Sequence, residues 1–499
     1  SVMETQSGPV TFSVDYDGVN KINLRPEGVQ LNTTGDARGV VSVRNGPSTI
    51  STVTISSIVG TGTLGITVGA GTALDNAGNT LADHVTSATF AVTNAGTPDP
   101  VLVDYDFGGP VGGSGQSLGE TVVVDRDGNI YISGEFNETV DFDPTNGISE
   151  RTSAGGYDGY VQKLDPEGNL LWVVTIGGVG DDSCYDVAVT RSGDVYVTGG
   201  FVESVDFDPS AASALLVGLN IADTYILKLD SDGNFVWVRQ FGGSETEYSY
   251  GEGIAVDVWG DVYVTGNFEG TTDFDPGNGV LIHTAAGERD AFVVKLDADG
   301  LLVWVKVVGG ALDERGLDVA VDALGNVVVS GEYRSDGIDL DPGPEIQAFS
   351  NRGGADVFVM KLAADGTLIW VQTVGGEATD RGYSIAADPY GNVLVSGVFL
   401  SENADFDPGL GTALLSNEGG TDIYVLKLDA DGAFVWAGSM VSTDTARSVD
   451  VDVDLRGNVY IGGSFRGTVD FDSGVGVHER VSEGVNSGFV AKLDYEGAL

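Results

Sequence analysis

The stretch "GLDVAVDALGNVVVSGEY", residues 316–333, reads as a hairpin, with short apolar-rich runs on either side of a Leu-Gly-Asn turn. A second hairpin follows in "DVFVMKLAADGTLIWVQTVGG", residues 356–376, again closed by a turn containing glycine. Together they give four short strands, and the whole unit recurs along the chain. Each copy carries a version of Asp-Phe-Asp-Pro, whose first Asp falls at 141, 206, 273, 339, 405 and 470, a period of 65–67. A Lys-Leu pair follows 22 residues later (Asp141 to Lys163), at Lys163, Lys228, Lys295, Lys361, Lys427 and Lys492. Nine residues beyond the first five lysines stand Trp172, Trp237, Trp304, Trp370 and Trp436. Four-strand repeats in such strict register predict a ring of blades.

The hairpin turn recurs with Gly128, Gly193, Gly260, Gly325, Gly391 and Gly457, where the chain needs a backbone angle that a Cβ resists. Through "DRDGNIYISG" at 125–134 and "KLDSDGNFVW" at 228–237, residues 101–499 resemble the bacterial β-propeller repeat family. That resemblance implies one blade per repeat. The excursion containing Asp-Phe-Asp-Pro, inserted between the second and third strands, departs from the family's shorter repeats. The sixth copy stops before a tryptophan strand, while "VLVDYDFGG" at 101–109 matches "LWVVTIGG", with Val103 in the place of Trp172. The expectation is an all-β chain whose residues 98–499 form a six-bladed β-propeller closed by an N-terminal strand, 101–109.

Residues 1–97 differ. "VTFSVDY", "GVVSVRN", "STVTISSI", "LGITV" and "ATFAVTN" alternate between turns at the spacing of a small sandwich. With "SGPVTFSVDYDGV", "LNTTGDARGVVSV" and "GTGTLGITVGAGTALDNAGNTL" they resemble bacterial Ig-like domains. The resemblance implies an N-terminal Ig-like β-sandwich acting as a spacer or stalk segment. "NAGTPDP" at 94–100 reads as a short stiff linker.

Charge narrows the partners. With 24 basic against 74 acidic residues the net charge is −50, which repels nucleic acid at long range. Self-repulsion of this size asks for a screen, either salt or a divalent cation, for which Ca²⁺ is the natural candidate. Cys184 is alone, so neither an internal disulfide nor a zinc cluster is available. No apolar run reaches membrane-span length. There is no initiator Met or signal-like apolar segment at the start, so the expectation is a processed product or a piece of something longer, extracellular and at a cell surface.

The candidate metal ligands are the carboxylate pairs Asp141 and Asp143, Asp206 and Asp208, Asp273 and Asp275, Asp339 and Asp341, Asp405 and Asp407, and Asp470 and Asp472. In an extended segment the two carboxylates share a face while the residue between them points the other way as an anchor. Like charges so close need compensation, by Ca²⁺ or by backbone N–H groups at a turn, and both readings stay open. Asp75, Asn76 and Asn79 of "LDNAGN" offer a further calcium loop or an ordinary Asx turn. The tryptophans could stack sugars, but at blade period they read more simply as the layer between blades. Each lysine is expected to meet the Asp five residues earlier, Asp158, Asp223, Asp290, Asp356 or Asp422, in a salt bridge or turn cap; Ser487 replaces it in the last copy.

Catalysis has little support, because six equivalent environments do not produce one acid and one base. His84, His283 and His478 share no repeat position. "GSETEYSYGEG" at 243–253 is the densest departure from the repeat, and reads as loop drift ahead of a ligand site at one end of the ring. The expected role is a non-catalytic structural or adhesive module of a bacterial surface or fibre protein, with neighbouring domains or subunits as partners. A carbohydrate-binding propeller recognising glycans is the alternative, and a glycan-cleaving enzyme the third reading.

Overall fold

The alternation in residues 316–376 becomes an antiparallel sheet, with Glu314–Val321 innermost, then Val327–Tyr333, Asp356–Leu362 and Leu368–Val374. In this computed structural model residues 112–499 are described except 146, 211, 220, 244–246, 418, 455, 473–476 and 483–485. Before them the described residues are those of ten strands between Glu4 and Val92. The turn Gly325 has φ 83°, and its five counterparts lie at 83–89°, which explains the glycine at that position.

Consecutive inner strands are neighbours all the way round, and Ser117–Val124 of the first blade also meets Thr445–Val453 of the sixth. The repeats therefore close as a six-bladed, all-β propeller. While one apolar cluster, around Phe136, Phe142 and Tyr160, lies within the first blade, most span neighbouring blades. One such cluster joins Tyr263 and Val293 of the third blade to Val329, Phe358 and Leu362 of the fourth. Burial of these aromatic and branched side chains supplies most of the cohesion.

Lysine and tryptophan fasten neighbouring blades together. The Trp370 indole N–H donates to the Ala430 carbonyl at 3.0 Å, in the turn of the next blade, and Trp172, Trp304 and Trp436 do the same at 3.1–3.2 Å. The ring also lies over the turn glycine: a Cβ on Gly432 would sit 2.8 Å from Trp370. The expected lysine salt bridge is corrected here. Lys295 pairs at 3.0 Å with Asp261 and Lys427 at 3.5 Å with Asp388, both from the turn between the first two strands of the same blade, while cross-strand register puts Tyr263 and Leu394 opposite the two lysines. The Asp five residues before the lysine caps a turn instead, as where Asp290 accepts the Ala286 N–H at 2.9 Å. A Cβ on Gly177, Gly309 or Gly375 would overlap the carboxylate of Asp158, Asp290 or Asp356, which accounts for the first glycine of each Gly-Gly pair.

The Asp-Phe-Asp-Pro excursions form small hairpins strapped to the preceding blade. Thr271–Asp273 pairs with Ile282–Thr284 on one side, and on the other with Gly242–Gly243 at the end of the second blade's outer strand. Val441–Ser442 and Val469–Asp470 repeat that contact between blades five and six. Gly112–Gly113 makes the same contact with Val140–Asp141 of the first blade. The closing strand itself, 101–109, lies outside the described residues. The pairing gives the Gly-Gly position to Gly112 and Gly113, where the sequence pattern places Gly108 and Gly109.

The ten described strands between Glu4 and Val92 belong to a separate unit. Its described strands form a sheet in which Glu4–Thr5, Phe90–Val92, Gly62–Val68 and Val29–Gly35 lie side by side, with Val85–Thr86 also paired to Gly62–Val68. A second sheet joins Val10–Asp15, Ile50–Val59 and Arg38–Asn45. Of the chain as described, no helix is long and apolar enough to cross a membrane.

Candidate functional site

The twelve paired aspartates are not brought together. Each pair stays in its own excursion hairpin, where the residue between them is the anchor: Phe142, Phe207, Phe274, Leu340 and Phe406 are buried. Phe274 meets Phe268 edge-on at 5.1 Å. The first carboxylate accepts two loop amides: Asp273 from Asp275 and Leu281 (3.1 and 2.8 Å), and Asp339 from Asp341 and Gln347 (3.1 and 2.9 Å). Asp141, Asp206, Asp405 and Asp470 follow the same pattern. The second carboxylate accepts the amide two residues on, as Asp275 does from Gly277 at 2.8 Å. Among the described residues no group of three or more His, Cys, Asp or Glu is arranged to hold a metal ion. Asn76 and Asn79, and the Asp75 side chain, lie outside the described residues.

A different set of side chains converges on the ring axis. The inner strand of every blade bulges by one residue, and the bulge turns side chains into the central channel. The residues just after the bulge are Thr121, Asp186, Gly253, Asp318, Ser384 and Asp450, so an aspartate recurs in every second blade. Each reaches across to neighbouring inner strands. Asp186 accepts the Ile254 N–H at 2.7 Å, and Asp318 accepts the Ile385 N–H at 2.8 Å. The Ser384 hydroxyl lies 3.0 Å from Asp318 and 2.9 Å from Asp450 while accepting the Val451 N–H at 3.1 Å. One hydroxyl proton cannot serve two carboxylates, so a proton on one of the acids completes the set. Burial in the channel wall pushes Asp450 up to about 6, and raises Asp186 and Asp318, which also repel one another.

Thr121, Asp186, Asp318, Ser384 and Asp450 line one end of a cavity of about 260 Å³ to which all six blades contribute. Its two walls differ. Arg315, Arg381 and Arg447 occupy one repeat position in blades four, five and six, whereas blades one and three contribute Glu120 and Glu252 and blade two Tyr185. Arg381 donates to Glu332 at 2.6 Å and lies 3.4 Å from the Tyr383 hydroxyl, and Arg315 Nε stands 3.7 Å from the other Glu332 oxygen. Arg447 lies over the Tyr383 ring at 4.7 Å. Glu252 accepts the Asn267 amide at 3.1 Å. Burial raises both Glu252 and Glu120, with Arg315 and Arg447 pulling them partly back.

Glu120 and Glu252 are shifted in the same direction, and Glu332, Asp186, Asp318 and Asp450 line the same cavity. Tyr185 is pushed upward by burial, and no histidine lines the cavity. Cys184 is buried, and burial pushes its thiol up to about 12. The "GSETEYSYGEG" departure is a correction: Glu252 belongs to the cavity wall, and Tyr250 meets Tyr185 edge-on at 6.1 Å. The sequence held a signal for the rest, an arginine at blade period in three consecutive repeats and an aspartate in alternate ones.

A family model described as a beta-propeller repeat matches residues 236–267. An uncharacterized WD repeat-containing protein of Acanthamoeba polyphaga mimivirus is 23% identical over 465 residues, covering 77% of this chain and 33% of that protein. The regulatory protein FlaEY of Caulobacter vibrioides is 22% identical over 282 residues, covering 49% of this chain and 28% of the relative. The chain thus spans about a third or less of the curated relatives it matches. Among solved structures, the Pan2 WD40 domain of Neurospora crassa aligns at TM-score 0.33 with 9% identity, covering 69% of this chain and 75% of that one. An ulvan lyase aligns at 0.37 with 10% identity, covering 98% and 97%. At such scores neither likeness carries a functional argument.

Proposed function

We propose that this chain is a non-catalytic extracellular module of a bacterial surface protein, an Ig-like spacer followed by a propeller that binds a saccharide at the mouth of its channel. The observation that carries the reading is the break in symmetry at the mouth. Blade cores, hairpin straps and turn caps repeat around the ring, whereas Arg315, Arg381, Arg447, Glu332, Glu252 and Glu120 face one cavity with both donors and acceptors. Hydroxyl-rich ligands need such mixed planar groups beside aromatic rings, here Tyr185 and Tyr383. Ca²⁺ at the excursion hairpins belongs to the same proposal, supported by six loops that each present two carboxylates in a strongly acidic chain. A glycan array in calcium buffer tests the saccharide site. Binding lost on mouth substitutions but kept on blade-core substitutions that leave the fold intact is expected; no binding to any glycan, or release of reducing ends on incubation, overturns it.

A further inference from the structure

We propose that the saccharide held at the channel mouth is an acidic one, a terminal sugar whose carboxylate docks on Arg447. This rests on the reading of the mouth as a saccharide site and names its chemical class. Arg447 is exposed and lines the cavity, and its side chain makes no hydrogen bond among the described residues. Its guanidinium carbon stands 4.7 Å from the centre of the Tyr383 ring, with Glu120 as a neighbouring charge. The planar fork of a guanidinium matches the two oxygens of a carboxylate. Arg381 cannot do the same, because Glu332 already holds it at 2.6 Å. The wall beside Arg447 adds polar atoms that ask for partners: Arg315 Nε and Glu332 Oε1 are buried, face one another at 3.7 Å and have no hydrogen bond. Glu332 is 1% exposed, so a sugar hydroxyl reaching between these two groups would satisfy both.

Size and charge point to the same ligand. A cavity of about 260 Å³ has room for a small sugar. The net charge of −50 opposes any anion at long range. The acidic excursion hairpins, though, pair with outer strands, about 14 Å from the inner strands at ~4.8 Å per strand spacing. At physiological ionic strength charges beyond ~8 Å are largely screened. The cavity wall carries six carboxylates of its own, of which burial raises Glu120, Glu252, Asp186, Asp318 and Asp450 toward the neutral form while Glu332 is paired with Arg381, so their opposition to an anion beside Arg447 is reduced.

Isothermal titration of the full chain with digalacturonate, with galactobiose and with a sulfated galactobiose tests the assignment. Digalacturonate is expected to bind at least about tenfold tighter than galactobiose. R447A should erase that difference without moving the melting temperature, and R447K should restore only part of it, since lysine keeps the charge without the fork. Equal binding of galactobiose, preference for the sulfated sugar, or unchanged digalacturonate affinity in R447A overturns the carboxylate assignment and leaves the saccharide site standing. Failure of all three sugars, together with a blank glycan array, removes the site itself.

Discussion

At the scale of single residues, the repeated carboxylates are explained by where their oxygens go. Oδ1 of Asp273 accepts two loop amides, and an Asn in its place keeps that acceptor while an Ala does not. D273N should therefore melt close to the parent in EDTA, with D273A destabilised by about 1–2 kcal/mol, the usual cost of a lost cap. The same melts test calcium: the proposal expects chelation to lower the melting temperature of the parent chain, and an unchanged value leaves the aspartates as turn caps alone. The pairs, their spacing and the anchoring role of Phe142 and its counterparts were legible in the sequence. The identity of the lysine's partner was not, since strand pairing sets Lys295 against Tyr263 and so brings it within reach of Asp261 in the turn two residues before.

At the scale of elements, blade is joined to blade by three contacts: the tryptophan over the next turn, the lysine beside it and the excursion hairpin on the previous outer strand. Gly112–Gly113 supplies the last of these to the first blade. A chain beginning at residue 98 should keep a cooperative melt, whereas one beginning at residue 114 lacks the partner of Val140–Asp141 and should melt earlier and over a broader range. Equal melts for the two truncations would show that this strap contributes nothing to closure. The strands of each blade were readable because alternation and glycine turns are local. The register of the closing segment was misjudged because "FGGPVGG" at 107–113 offers two Gly-Gly pairs, and only pairing chooses between them.

At the scale of the whole molecule, buried acids make stability depend on pH. Burial lifts Asp158, Asp290 and Asp356, which lie beside Asp182, Glu314 and Asp380 of the next blade, to about 6, and raises the channel acids as well. These folded values stand above the unfolded value of 3.8, so between the two the folded chain holds more protons. Stability should rise as pH falls through that window, and relief of the −50 charge acts in the same direction. Thermal melts from about pH 7.5 to 5 should move upward; a fall over that range would contradict the environment assigned to these acids.

The sequence by itself determined the blades, their number and the segments that join them, because strand alternation, turn glycines and a period of 65–67 residues are properties of neighbouring residues. The tertiary structure alone decided which side chains share the axis. Asp186, Asp318 and Asp450 are two repeats apart in sequence, and Arg447 meets Glu120 only where the last blade returns to the first. Ring closure converts equivalent positions in distant repeats into the walls of one cavity, and no local pattern specifies that meeting.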